Sequence, residues 1–143
     1  MVSKTCEYAI RAMLFVAQKS KGKSKVGVKE IAQAIDSPEP FIAKILQDLV
    51  KKGLLLSAKG PTGGFYLDSA GLKNTLADVV NAIDGDKLFT GCGLGLKTCS
   101  AKMPCPVHDE FVVVRKHIKS IMRNAKLGDY NTSLELKEKY LRR

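Results

Sequence analysis

Three cysteines and a histidine lie close together in the second half of the chain, between residues 91 and 108. Cys92, Cys99, Cys105 and His108 follow the spacing C-x(6)-C-x(5)-C-x(2)-H and include three of the four cysteines of the protein. Thiolates are favoured ligands of iron–sulfur clusters and of zinc, and a tetrahedral site needs a fourth ligand, which His108 can supply. The pattern therefore predicts a loop that binds a metal ion or an iron–sulfur cluster.

The spacing alone leaves the chemistry of this loop open. Zinc, an iron–sulfur cluster and a metal-free thiol–disulfide pair are all compatible with it. The glycine-rich loop lies beside a predicted DNA-binding module, which favours a switchable iron–sulfur centre over a permanent zinc staple. Glu7, supplied by a second subunit, is a rival fourth ligand. We expect Cys6 to be a small buried residue and His117 to face solvent.

The overall charge indicates a polyanionic partner. The chain has 143 residues, and its 24 Lys and Arg against 14 Asp and Glu give a net charge of +10 at pH 7. Such an excess is typical of proteins that bind nucleic acid. No apolar run approaches the roughly 20 residues of a membrane span, and no secretory signal is recognisable, so we expect a cytoplasmic protein with reduced thiols and no membrane partner. The lack of a C-x-x-C pair and of an acid–base constellation argues against an enzyme.

The first half of the chain has the element order of a winged helix-turn-helix module. Apolar residues recur with helical periodicity over residues 6–19, 28–35 and 38–52. Two short strand-like runs, 55–58 and 65–67, flank the turn sequence GPTGG. Helices with a tight break, followed by a hairpin with a glycine-rich tip, predict a mainly α domain with a small β-wing.

The third helix is the predicted recognition helix, which enters the major groove of DNA. Ser37 is its predicted cap, Pro38 its first residue, and Gly53 marks its end. On this helix Lys44 suits a phosphate or a guanine, and Gln47 suits an adenine. The candidates for DNA contact, including two at the wing tip, are Glu39, Pro40, Ala43, Lys44, Gln47, Lys59 and Thr62.

The second half of the chain contains two further predicted helices. Thr75 and Asp78 resemble a capping box at the start of one of them. The other, of about five turns, follows the cysteine loop. Its apolar residues repeat at spacings of four and three, as in a dimer seam formed by Val107, Phe111, Val114, Ile118, Ile121 and Ala125. We expect this helix to pair with its own copy.

These elements divide the chain into three predicted parts. Residues 1–84 form a winged helix-turn-helix DNA-binding domain, residues 85–106 a cysteine-rich cluster-binding loop, and residues 107–143 a dimerisation helix and tail. Within the last part, residues 133–143 are expected to form a short charged helix or to be disordered. The loop thus lies between a DNA-binding output and a dimer contact, where a change in the loop can alter both.

The chain resembles the IscR/NsrR family of bacterial winged-helix transcription regulators over nearly its whole length. The resemblance is carried by the three-cysteine loop and the segments KTCEYAIRAM, IAQAI, FIAKILQDLVKKGLL, KGPTGGFYL and TLADVVNAIDG. It implies a homodimer that binds a palindromic promoter site in double-stranded DNA, and a 2Fe–2S or 4Fe–4S cluster on Cys92, Cys99 and Cys105. It also implies that the fourth ligand is His108, as in the IscR branch, or Glu7 of the partner subunit, as in the NsrR branch.

Two positions depart from the family pattern. Lys59 stands where the wing usually carries an arginine, and Ala43 stands where the IscR branch has a base-reading glutamate. From the residues and the resemblance together, we expect a cytoplasmic, homodimeric, DNA-binding transcription regulator that senses iron–sulfur status, redox state or nitric oxide through its cluster. The alternative is a winged-helix regulator that binds zinc, or one that uses a cluster-free thiol switch.

Overall fold

The fold consists of seven α-helices and one two-stranded antiparallel sheet, in a computed structural model that describes residues 1–143. The helices and strands are α1 (Lys4–Lys21), α2 (Val28–Ala34), α3 (Glu39–Lys51), β1 (Leu56–Ala58), β2 (Gly64–Tyr66), α4 (Leu76–Asp84), α5 (Lys87–Thr90), α6 (His108–Asn124) and α7 (Asn131–Glu135). Short 3-10 turns precede α4 (Gly71–Lys73) and α7 (Leu127–Tyr130). None of the helices combines the length and the apolarity that crossing a bilayer requires. The mainly helical class with a small β-wing is as predicted.

Helix α1 lies at the centre of the fold. It packs against α2, α3, α4, α7, strand β2 and the 3-10 turn before α7. Ala9, Met13 and Val16 on its inward face are fully buried. The helix begins at Lys4, earlier than the predicted Cys6, because the Ser3 hydroxyl accepts a hydrogen bond from the Cys6 N–H and caps it.

The turn between α2 and α3 corrects the predicted helix cap. Pro38 is the N-cap residue of α3, and Ser37, the predicted cap, has a buried hydroxyl without a hydrogen-bond partner. The reason is that Ser37 still belongs to the end of α2, since its N–H donates to the Ala32 carbonyl at 3.0 Å. Asp36, with φ of 53°, supplies the left-handed residue that reverses the chain at this point.

Helix α3, like α2, is followed by a residue in the left-handed conformation. Gly53, with φ of 76°, follows the last helical residues as predicted. The Gly53 N–H donates to the Val50 carbonyl, and the Leu54 N–H donates to the Leu49 carbonyl, both at 3.0 Å. These two bonds form a Schellman motif, which directs the chain into the wing. The inward face of α3 is buried at Ile42, Ile45, Leu46 and Leu49.

The wing is the predicted hairpin, and a third chain segment fixes it to the body. Strands β1 and β2 pair with Ser57 opposite Phe65. Val26, just before α2, exchanges two backbone hydrogen bonds with Phe65, at 3.0 and 2.8 Å. Gly64 has φ of 141°, and a Cβ at this position would lie 2.8 Å from the Val26 carbonyl oxygen. Only glycine lets the two backbones approach so closely.

Helix α4 begins with the predicted capping box. The Thr75 hydroxyl accepts a hydrogen bond from the Asp78 N–H at 3.2 Å, and the Asp78 carboxylate accepts one from the Thr75 N–H at 2.8 Å. Together these bonds satisfy two N–H groups that the helix cannot pair internally.

The segment after α6 folds back onto the core around α1 and then forms the short helix α7, which overlaps the start of the predicted tail. The Leu76 N–H donates to Ala125, and the Leu127 N–H donates to Asn74, both at 2.9 Å. Leu127 is fully buried in the same core as α1, and Leu141 packs against that core. Ala125, placed in the dimer seam by its spacing, is instead buried within the fold, because the chain turns inward at the end of α6.

Candidate metal centre and nucleic-acid interface

The cysteine loop is held at both ends by helices. At its start the Gly91 N–H donates to the Lys87 carbonyl of α5 at 2.8 Å. At its end the His108 N–H donates to the Cys105 carbonyl at 3.0 Å, where α6 begins. Helix α6 packs against both α4 and α5. The two ends of the loop are therefore fixed relative to each other, although the loop itself contains only turns and bends.

The four predicted ligands lie in two contacting pairs. Cys92 Sγ is 4.0 Å from Cys105 Sγ, and Cys99 Sγ is 3.5 Å from Nδ1 of His108. All four side chains are partly exposed, and the cysteines are free thiols. No three Cys, His, Asp or Glu side chains converge on one point. In its chemistry, this set of three thiols and one imidazole fits a thiolate-bound iron–sulfur centre.

Arg115 on α6 contacts this loop and is not among the predicted site residues. Its Nη1 donates to the Gly91 carbonyl at 2.9 Å, and its Nη2 donates to Cys99 Sγ at 3.1 Å. His108 and Arg115 are two helical turns apart, so both face the loop. This spacing of a cationic residue after a candidate ligand is the sequence signal by which it could be found.

Phe111 supports the loop from the same side of α6. A Cβ on Gly93 would lie 2.5 Å from the Phe111 ring, so the loop backbone rests directly on the ring at this glycine. Phe111 was expected to serve the dimer seam, yet its ring packs against the loop while remaining 37% exposed. The loop is therefore docked on one face of α6 by a ring, a guanidinium and the candidate ligand His108.

The environment of Cys92 favours its thiolate. Backbone N–H groups of Leu94 and Leu96 lower the pKa of the Cys92 thiol, and contacts from Cys105 and the Gly95 backbone act in the same direction. A hydrogen bond to the charged form stabilises that form. Because thiolates, and not thiols, bind metals and attack oxidants, Cys92 is prepared for both kinds of chemistry.

The other cysteine and the rival ligand lie in different environments. Cys6 is fully buried, as expected, and burial together with the charges of Asp84 and Glu7 raises the pKa of its thiol to about 12. Glu7 itself pairs with Lys4 of the same helix at 3.2 Å. His117 is exposed, as expected.

The predicted DNA contacts are accessible on α3 and at the wing tip. Glu39, Pro40, Lys44 and Gln47 are exposed on α3, and Ala43 is half-buried. At the wing tip the two predicted contact residues, Lys59 and Thr62, are also exposed.

An aromatic contact positions α3 against α1. The ring of Tyr8 meets the ring of Phe41 edge to face, with centroids 5.4 Å apart. The Arg11 guanidinium lies 4.7 Å from the Tyr8 ring and donates to the Ile35 carbonyl at 3.0 Å. Helix α3, the predicted recognition helix, is thereby held in place by α1 and by the turn that precedes it.

Helix α6 also carries an exposed apolar surface. Val113, Val114 and Ile121 are 67%, 48% and 52% exposed, and no residue of the helix is fully buried. An apolar surface of this kind is typical of a helix that associates with a partner. Pairing of α6 with its own copy stays a prediction.

Comparison with known proteins places the chain among transcriptional regulators. A family model described as Rrf2, iron-dependent transcriptional regulator, matches residues 2–131. A protein from Aquifex aeolicus, described as an HTH-type transcriptional regulator, is 31% identical over 97% of this chain and 94% of its own length. The HTH-type transcriptional regulator IscR of Vibrio vulnificus is 28% identical over 92% of this chain and 77% of its own length. These relatives are regulators and not enzymes, as expected.

Solved structures share the fold. CymR, described as the global cysteine regulator of B. subtilis, aligns with a TM-score of 0.75 over 92% of this chain and 96% of its own, at 22% identity. T. potens IscR aligns with a TM-score of 0.73 over 97% and 91% of the two chains, at 24% identity. The winged-helix fold and the family resemblance are both confirmed. Because the family model covers nearly the whole sequence, the chain belongs to the Rrf2 family of DNA-binding transcriptional regulators.

Proposed function

We propose that this regulator controls transcription through an iron–sulfur cluster held by Cys92, Cys99, Cys105 and His108. The observation that carries the proposal is the pairing of these donors on one loop, with sulfur–sulfur and sulfur–nitrogen contacts of 4.0 and 3.5 Å. A bound cluster would supply sensitivity to iron–sulfur status, redox state or nitric oxide. We prefer His108 to Glu7 because His108 contacts a cysteine within the same chain, whereas Glu7 is paired with Lys4.

The contacts of the loop suggest how its state reaches the DNA-binding module. The loop ends on α6, and the far end of α6 is joined to the start of α4 by the Leu76–Ala125 hydrogen bond. Helix α4 in turn packs against α1, on which the recognition helix rests. Ordering of the loop would therefore bias the position of α6 and, through α4 and α1, the orientation of α3.

The exposed surface of α6 supports a homodimer. Two copies joined along this helix would present two recognition helices, as a palindromic promoter site requires. We expect Ile121→Lys to convert the dimer to a monomer in sedimentation velocity, because it places a charge in the apolar contact. Ser120→Lys, at a neighbouring exposed position, is the matched control. If both variants remain dimeric, α6 does not form the dimer contact.

The DNA interface predicts a defined salt dependence. If Lys44 and Lys59 each neutralise a phosphate, Lys44→Gln and Lys59→Gln should each reduce the slope of log K against log salt by about 0.9. Lys139→Gln, an equal loss of charge at an exposed position of the C-terminal segment, should leave the slope unchanged. Fluorescence anisotropy with labelled duplex DNA at several salt concentrations measures all three. Equal slopes in all variants would remove α3 and the wing from the interface.

The cluster is tested by anaerobic reconstitution with iron and sulfide. We expect visible charge-transfer absorption and stoichiometric iron and sulfide in the wild-type protein, and their loss in Cys99→Ala. Cys6→Ala is the control. Because Cys6 is buried outside the loop, this variant should retain the absorption. Wild-type protein without visible absorption, or equal absorption in both variants, would contradict the proposal.

A thiol–disulfide switch is the second candidate. It is favoured by the 4.0 Å contact between Cys92 Sγ and Cys105 Sγ and by the lowered pKa of Cys92. Hydrogen peroxide would take two electrons from this pair: its O–O bond breaks, the Cys92–Cys105 S–S bond forms, and the two thiol protons leave in two molecules of water. Mass spectrometry of peroxide-treated, iron-free protein should then show a Cys92–Cys105 crosslink, and DNA binding should change in the absence of iron. DNA binding that follows only iron and sulfide content would exclude this candidate.

A further inference from the structure

We propose that Arg115 is a positioning residue for the loop: its guanidinium fastens the loop to α6 and stabilises the more reduced form of a bound centre through Cys99. The inference rests on the proposed function, because it assigns a role to a residue beside the proposed ligands. It extends that function from the donors themselves to a cation on the helix behind them.

The geometry of the contact is that of a two-pronged clamp. One guanidinium nitrogen of Arg115 reaches the Gly91 carbonyl at 2.9 Å and another reaches Cys99 Sγ at 3.1 Å. Gly91 immediately precedes Cys92, which belongs to the Cys92–Cys105 pair, and Cys99 belongs to the Cys99–His108 pair. The Arg115 side chain therefore binds the loop beside the first pair and at the second. The rigid, planar fork of arginine can make both bonds at once, which lysine cannot do with the same geometry.

The charge of Arg115 is not used elsewhere. The ion pairs of the chain are Lys4–Glu7, Lys21–Glu135 and Lys52–Asp48, and none includes Arg115. The side chain is half-buried, where a charge is screened less than at an exposed position. The positive charge of the guanidinium is therefore directed at the sulfur of Cys99.

Such a contact acts on electron affinity. Hydrogen bonds to ligand sulfurs are one of the factors that set the reduction potential of an iron–sulfur cluster. An N–H donor and a positive charge stabilise the more electron-rich state, so they raise the potential. Removing both should lower it. A tenfold loss of preference for the reduced state corresponds to about 59 mV for a one-electron couple.

The first experiment measures the midpoint potential of the reconstituted protein by dye-coupled redox titration. We expect the midpoint potential to be highest in the wild type, lower in Arg115→Lys and lowest in Arg115→Met. In Arg115→Met the preference for the reduced state should fall at least tenfold, which is about 59 mV for a one-electron couple. Arg123→Met removes the same side chain from an exposed position further along α6 and should titrate as the wild type does. If Arg115→Met does not retain the cluster while Arg123→Met does, the fastening role is supported. The midpoint potential of Arg115→Lys is then compared with that of the wild type to test the redox role.

The second experiment uses metal-free protein and does not depend on a cluster. Trypsin can cleave the loop after Lys97 and Lys102, which are both exposed. Arg115→Met should speed cleavage there on the order of tenfold, as expected for loss of charge-assisted hydrogen bonds. Arg123→Met loses one tryptic site as well and should not speed cleavage of the loop.

The outcomes separate this proposal from the proposed function. Wild-type protein that holds no iron and sulfide defeats the proposed function and the redox role with it, whereas faster cleavage of the loop would still support the fastening role. An unchanged cluster potential in Arg115→Met overturns the proposal even if cleavage is faster. Arg115 would then hold the loop without affecting the reduction potential. Unchanged cleavage in Arg115→Met overturns the fastening role.

Discussion

Gly64 provides a direct test of how the wing is attached. Its φ of 141° is a backbone conformation that residues with a side chain rarely adopt, and a Cβ at this position would lie 2.8 Å from the Val26 carbonyl oxygen. Gly64→Ala therefore introduces two separate costs. The backbone strain is about 1–3 kcal/mol. Relief of the clash must also lengthen the two Val26–Phe65 hydrogen bonds, which are worth about 1 kcal/mol each.

Gly60 offers a matched control in the same hairpin. It has φ of 99°, and a Cβ at this position would meet nothing within 4 Å. Gly60→Ala thus carries the backbone strain without the collision. We expect Gly60→Ala to lower the free energy of unfolding by about 1–3 kcal/mol and Gly64→Ala to lower it by about 1–2 kcal/mol more than that.

Urea unfolding followed by far-UV circular dichroism measures the two free energies of unfolding. Both variants should remain folded, because a domain of this kind has about 5–15 kcal/mol of stability. DNA affinity should fall further in Gly64→Ala than in Gly60→Ala, since only the former detaches the wing from Val26. Equal losses of stability in the two variants would refute the argument that the close approach to Val26 fixes the wing.

Four further predictions concern stability and thiol reactivity. Leu127→Ala should cost about 2–5 kcal/mol in urea unfolding because Leu127 is fully buried, whereas Leu136→Ala, at a 64% exposed position, should change it by less than about 0.5 kcal/mol. Thr75→Ala removes half of the capping box and should cost about 0.5–2 kcal/mol, with Thr132→Ala, at an exposed position, as a near-neutral control. Iodoacetamide at pH 8 should label three thiols of the native metal-free protein and Cys6 only after denaturation, because Cys6 is buried and its pKa is about 12. A rise in pH from about 9 to 12 should also lower stability through Cys6, since its thiol ionises first in the unfolded chain, and Cys6→Ala should lack this part of the pH dependence.

Local chemistry made much of the fold predictable. The helical periodicity of α1, α2 and α3, the glycine-rich hairpin and the Thr75–Asp78 cap each depend on residues within a few positions of one another. The wrong cap at Ser37 shows the limit of such rules, because the N–H of this residue is already bonded to the preceding helix. Adjacent elements compete for the same residue, and the sequence alone does not show which one prevails.

Contacts between distant segments were not predictable. Val26 joins the wing through a single-residue bridge, which has no periodicity to detect. Leu127 lies in a polar stretch, and its burial depends on α1 at the other end of the sequence. Of the candidate site, the spacing of the cysteines indicated the donors, but the Arg115 contact required the direction of α6 relative to the loop. Such information exists only once the chain is folded.

The return of the C-terminal segment to α1 has a consequence for how the protein is made. Leu127 and the helix that follows it pack against α1, which is synthesised before them. During translation the apolar face of α1 therefore has no complete covering until residues beyond α6 have left the ribosome. Contacts between distant segments slow folding, and exposed apolar surface invites association with other chains in the meantime. The core around α1 can thus reach its full stability only after the segment that follows α6 has been synthesised, and until then the apolar face of α1 is open to association with other chains.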